Sequence, residues 1–167
     1  MSVTAMDKDL DGLTLTVTAE YDVPVDRAWQ LWADPRQLER WWGPPTYPAT
    51  VEKHDLVAGG EVTYFMTGPE GDVHHGWWRI VEADPPKRLV LEDGFGDDPS
   101  SAAAGMPIVA MTMELAATAA GGTVMTMRST FPSLEAMEQL MAMGMEEGLR
   151  AAMGQIEGIL VDGIRAG

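Results

Sequence analysis

The chain has 167 residues, with twenty-six acidic against eleven basic side chains, a formal net charge of -15 and no cysteine. That length suits one domain with a sizeable core, since about 150 residues bury roughly two-thirds of their unfolded surface. The charge repels phosphate backbones and anionic lipid, which excludes nucleic acid and membrane as partners, and the lack of cysteine excludes disulfides and thiolate chemistry; neither a metal nor a cofactor is expected. The opening residues MSVTAMDKDLDG hold three acids and no apolar run, and no stretch approaches the ~20 apolar residues of a membrane span. The expectation is a flexible segment over 1-11, a single domain over 12-163 and a cytoplasmic location.

From Leu13 to Tyr21 the apolar residues Leu13, Leu15, Val17, Ala19 and Tyr21 alternate with threonines and Glu20, the period of a half-buried strand. Pro24 opens a short helix, and Asp34-Pro35 caps and starts a second that Gly43-Pro44-Pro45 ends. Four of the six tryptophans, Trp29, Trp32, Trp41 and Trp42, fall on these helices. A meander of strands follows over about 48-57, 60-67, 73-83 and 87-94, separated by Gly59-Gly60, Pro69-Glu70-Gly71-Asp72 and Pro85-Pro86. The stretch Gly94 to Gly105, rich in Gly, Asp, Pro and Ser, is long enough to read as a lid.

Two more strands, about 107-118 and 123-130, present Met111, Met113 and Leu115 beside Met125 and Met127 on one face. Ser133 caps a final helix of about 30 residues, along which Leu134, Met137, Met141, Met145, Gly148, Ala152, Ile156 and Ile159 form one stripe. Ten of the thirteen methionines follow residue 105. Thioether side chains repack around different shapes, so this composition suits a cavity for a variable apolar guest, or simply a methionine-rich core. At Gly148 and Ala152 the missing bulk either lets the sheet close on the helix or leaves room for a ligand.

A sheet curved around the helix that must bury this stripe is an α+β helix-grip arrangement, with about seven antiparallel strands and two short helices after the first. The segments DVPVDRAWQLWADPRQLERWWGPP, GGEVTYFM, HHGWWRIVEADPPKRLVLEDGF and FPSLEAMEQLMAMGMEEGLRAAMGQI resemble the SRPBCC (START-like) superfamily, whose fold is that of the birch-pollen allergen. Within it they resemble the family named after the C-terminal domain of the activator of the ninety-kilodalton heat-shock chaperone ATPase, over about residues 12 to 162. The resemblance implies a stand-alone bacterial member, in a superfamily that spans lipid binders, cyclases and hydroxylase components, and it brings in a heat-shock chaperone as a candidate partner.

The chain holds no GxSxG elbow, phosphate loop, HExxH helix or complete GxGxxG. His74 and His75 are adjacent in a strand, so at most one faces a cavity, and His75 is the candidate acid or base together with Glu138 at the edge of the helix stripe. Trp42, Tyr64, Met66, Trp78, Met113, Met127, Met141 and Met145 are expected to line the cavity, with His75 or Ser129 orienting the guest. Three readings follow. The leading one is binding of an apolar or amphipathic small molecule, lipid-like or polycyclic, between sheet and helix; the others are a cyclase, dehydratase or hydrolase on the same cavity, and a chaperone-associated or homodimeric interaction module.

Overall fold

The computed structural model describes residues 3–99 and 106–166, and of 162–166 only the backbone. Eight antiparallel strands form one sheet: β1 (Val3–Asp9), β2 (Thr14–Tyr21), β3 (Ala49–His54), β4 (Glu61–Thr67), β5 (Val73–Asp84), β6 (Arg88–Phe95), β7 (Val109–Ala117) and β8 (Thr123–Thr130). Their spatial order is β1-β2-β8-β7-β6-β5-β4-β3, so the chain crosses from one side of the sheet to the other through the two helices between β2 and β3. These are α1 (Val25–Ala33) and α2 (Pro35–Trp41), and Asp34 caps the second by accepting from the Arg36 N–H. This is the helix-grip architecture, with one strand more than the expected seven.

The extra strand is β1, within the segment expected to be flexible. Its hairpin to β2 turns through Leu13 at φ 56, and the Asp9 side chain accepts from the backbone N–H groups of Asp11 and Gly12 at 3.1 Å each. Asp7, Lys8 and Asp9 are exposed and mask the strand's period, which is why composition alone reads as loop.

The expected single C-terminal helix is three: α3 (Leu134–Ala142), α4 (Met145–Met153) and α5 (Ile156–Ala166). Gly144 adopts φ 86, the left-handed conformation that ends a helix, and its N–H bonds back to the Met141 carbonyl at 3.0 Å. The second break follows Met153, where the Gln155 side chain donates to the Gly43 carbonyl at 2.7 Å and ties the joint to the end of α2. The apolar stripe survives both breaks apart from Leu134, which is 47% exposed at the first turn.

The inner face of the sheet carries Leu15, Val17 and Ala19, then Met125 and Met127, Met111 and Met113, Leu89 and Leu91, Trp78 and Ile80, and Val62 and Tyr64, all buried. Backbone register places Met113 opposite both Met127 and Leu89. A larger core joins these residues, Leu15 excepted, to Met153, Ile156, Ile159 and Leu160 and to the tryptophans of α1 and α2; a smaller one gathers Leu15, Val109 and Phe131 with Met137 and Leu140 of α3. The joint between α3 and α4 spans the gap between the two cores.

Candidate functional site

In that gap lies a cavity of about 310 Å³. Its floor is the inner face of β4, β6 and β7, through Tyr64, Met66, Asp93, Phe95 and Val109; its roof is Leu140, Met143, Gly144, Met145, Gly148 and Leu149; Trp42 and Pro44 close one side. Among the described residues no basic side chain lines it. A Cβ placed on Gly148 would meet nothing within 4 Å, so this glycine leaves space over the sheet and does not mark a close helix contact. A second depression of about 540 Å³, between α2, β3 and α5, is a polar surface groove that includes Glu39, Arg40, Gln155 and Gly158.

The polar end of the cavity is built by the register of three strands. Trp78 of β5 pairs with Asp93 of β6, and Tyr64 of β4 pairs with Gly76 of β5, so Tyr64 reaches over Gly76 towards Asp93. The Tyr64 hydroxyl donates to Asp93 Oδ1 at 3.2 Å. Gly76 is required by this path, because a Cβ there would lie 2.5 Å from the Tyr64 hydroxyl. Trp42 and Trp78 stand edge to face at 4.8 Å, and Trp42 meets Tyr64 at 6.1 Å. Their indole N–H groups face the Tyr64 oxygen, yet both are buried without a completed hydrogen bond.

Asp93 is the unusual member. It is half-buried, keeping a margin of contact with the cavity, and has no cationic partner among the described residues. Burial pushes its carboxyl up from 3.8 to about 7, against the smaller opposing effect of the Tyr64 hydrogen bond. Burial, and then the Asp93 charge, hold the Tyr64 phenol well above its usual value, so it remains a neutral donor. The site thus sets a carboxyl that exchanges its proton near neutrality and a neutral phenol in apolar walls, with two enclosed indole N–H groups behind the phenol oxygen.

Of the residues singled out from sequence, Trp42, Tyr64, Met66 and Met145 line this cavity, and Trp78 stands directly behind Trp42. Met113 and Met127 are 0% and 1% exposed within the larger core, under Met153 and Ile156, and are packing residues here. Ser129 is buried on β8 opposite Leu15 and Met111, and Met141 packs half-buried against the smaller core. Two placements correct the reading. His75 points to the outer face, because Gly76 and Trp78 take the inner one, and its Nδ1 lies 3.6 Å from Asp97 Oδ1. Glu138 is exposed on α3, turned away from the sheet.

His74 has the inward register but sits at the exposed start of β5, where it meets Asp72 at 2.9 Å. Of the expected lid, Gly94 and Phe95 belong to β6, and residues 100–105 lie outside the described residues. Among the described residues no group of three His, Cys, Asp or Glu side chains could hold a metal, and no helix is long and apolar enough to cross a membrane. Asp93 was missed. Its signal was the alternation Leu89, Leu91, Asp93, Phe95, which sets an acid at an inward position of an otherwise apolar strand face.

Solved structures share this fold. Protein Ms6760 from Mycobacterium smegmatis is 46% identical, with 95% of this chain and 96% of that chain covered at a TM-score of 0.86. A protein from Arthrobacter aurescens is 43% identical over 96% and 93% of the two chains at a TM-score of 0.90. The fold recurs at 19% identity in DynU16, a putative protein of the dynemicin biosynthetic locus, where 90% of this chain covers 48% of that one at a TM-score of 0.62. No curated protein matches the chain. The family model for Activator of Hsp90 ATPase homolog 1-like protein matches residues 22–161, and the chain belongs to that family.

Proposed function

We propose that the protein binds an amphipathic small molecule in the cavity between β4, β6 and β7 and the joint of α3 and α4. One observation supports this: a cavity of about 310 Å³ with apolar walls ends on one polar pair, the Tyr64 hydroxyl bonded to Asp93, with no cation among the described lining residues. Ligand sites are mostly apolar concavities with a few placed polar groups, and the methionines Met66, Met143 and Met145 allow the walls to adapt.

The test is a thermal-shift panel of fatty alcohols, sterols, flavonoids and aromatic amines on the wild type and on Gly148→Leu, whose side chain has room to enter the cavity. A ligand at about 100 times its Kd stabilises the native state by about 2.7 kcal/mol. For a chain of this size that raises Tm by roughly 5 to 10 °C. The rise is expected for a subset of the panel and is lost in Gly148→Leu. A flat panel, or a rise that Gly148→Leu preserves, removes the proposal.

A second reading, acid-base catalysis in the same cavity, is favoured by one feature, the position of the Asp93 carboxyl at about 7. It assigns the role given to His75 and Glu138 to Asp93. An Asp93→Asn variant that binds substrate with unchanged affinity and loses turnover is the expected result; retained turnover discards it.

A further inference from the structure

The charge balance of the cavity narrows the guest. Asp93 is half-buried beside Trp78 and Val109, its neighbours in the sheet, and shares the cavity with Trp42, Phe95 and Met66; among the described residues no Lys, Arg or His lines this space. An anionic headgroup entering here would meet a carboxyl with no cation to offset either charge, which excludes fatty-acid carboxylates and phosphate esters. A cation is in the opposite position. It pairs with the carboxylate, regains the attraction that burial denies Asp93, and packs its flanking carbons on the Trp42 and Tyr64 rings, whose faces attract positive charge. The net charge of -15 draws the same class of molecule towards the protein from solution.

Resting on the binding reading above, we infer that the cavity selects an amphipathic organic cation, an aryl or alkyl amine whose ammonium group pairs with Asp93 while its apolar body lies under Met145, Gly148 and Leu149. Tyr64 positions the carboxylate by donating to Oδ1, which leaves Oδ2 for the ammonium. Among the described residues, the titratable group that faces Asp93 from the packed elements is Tyr64, which remains neutral; β5 contributes Gly76 and Trp78, β7 Val109, and the roof only apolar side chains and glycines.

Three rigid probes of one size test this by calorimetry: 2-naphthylmethylamine, 2-naphthalenemethanol and 2-naphthoate. At pH 8 the amine is expected to bind at least about tenfold tighter than the alcohol, and the naphthoate weakest of all. Lowering the pH to 5.5 protonates Asp93 and weakens the amine by more than about tenfold, while the alcohol, which needs no charge, changes little. Asp93→Asn is expected to abolish the amine preference, so that the amine binds no tighter than the alcohol; the pH series on the wild type carries the same test should that variant fold poorly. An alcohol that binds as tightly as the amine at pH 8, or an amine that tightens at pH 5.5, overturns the cation and leaves the cavity standing, provided Gly148→Leu blocks the alcohol. Failure of all three probes overturns the cation, and a flat thermal-shift panel beside it overturns the cavity as well.

Discussion

Replacing Asp93 with Asn isolates the energetic consequence of placing a carboxyl in this cavity. In the unfolded chain the carboxyl titrates near 3.8 and in the native state at about 7. A folded value raised above the unfolded one means that the native state holds the proton longer. Stability from this group is therefore fully present below about pH 3.8, falls as pH rises towards 7, and is constant above that. At 1.36 kcal/mol per pKa unit the whole loss is about 4 kcal/mol, an upper bound because the carboxyl keeps partial contact with the cavity. Between pH 5 and pH 8 the window is narrower, and the loss is about 2 to 3 kcal/mol. Asn is nearly isosteric, still accepts from Tyr64 and cannot ionise, so the variant avoids the loss. Urea unfolding of both proteins at pH 5, 6, 7 and 8 should show Asp93→Asn gaining on the wild type by that amount as the pH rises. A difference that does not change with pH, or one that favours the wild type at pH 8, would refute the assignment of Asp93 as a buried carboxyl without a cationic partner.

Three other substitutions probe the supports of the site. Tyr64→Phe removes the hydrogen bond that favours the ionised form of Asp93, so the fall in stability with pH should extend to more alkaline values; a shift of the urea midpoint profile to lower pH contradicts this. Gly76→Ala drives a Cβ to 2.5 Å from the Tyr64 hydroxyl and should cost about 1 to 3 kcal/mol, measured as a drop in urea midpoint, because Tyr64 must leave its place over the strand. Gly144→Ala forces a side chain into the left-handed region at φ 86 and should cost about 1 kcal/mol by the same assay; an unchanged midpoint would mean that Gly144 does not set the break between α3 and α4.

The sheet was legible because its inward positions are apolar in strict alternation. Leu15, Val17, Ala19 and Tyr21 on β2 and Met111, Met113 and Leu115 on β7 read as strands without further information, and the turns at Gly59-Gly60 and Gly121-Gly122 delimit their neighbours. β1 was not legible, since as an edge strand it owes its place to backbone pairing with β2, and only its partly buried Val3, Ala5 and Met6 hint at an inner face. The breaks in the C-terminal helix were written in Gly144 and Gly154, but the stripe of apolar residues runs across both, and period alone gives no way to distinguish one continuous helix from three successive ones.

The cavity shows why methionine content was a weak guide and why the inward acid that the reading passed over says more. Met113, Met125 and Met127 share the thioether chemistry of Met66 and Met145 and yet are wholly enclosed, because they lie in the larger core with Met153, Ile156 and Ile159, whereas Met66 and Met145 border the cavity at the α3 and α4 joint. Which methionine faces space is decided by the helix breaks, a tertiary feature that no strand or helix period encodes. A carboxyl carries different information. Surface acids are cheap and uninformative in a chain of this charge, but an acid at an inward strand position incurs a desolvation cost wherever the helices lie. Asp93, with the bare Gly76 that lets Tyr64 reach it, is therefore the feature of the sequence that a packing requirement alone does not explain, and it is where a ligand would supply the charge that the fold withholds.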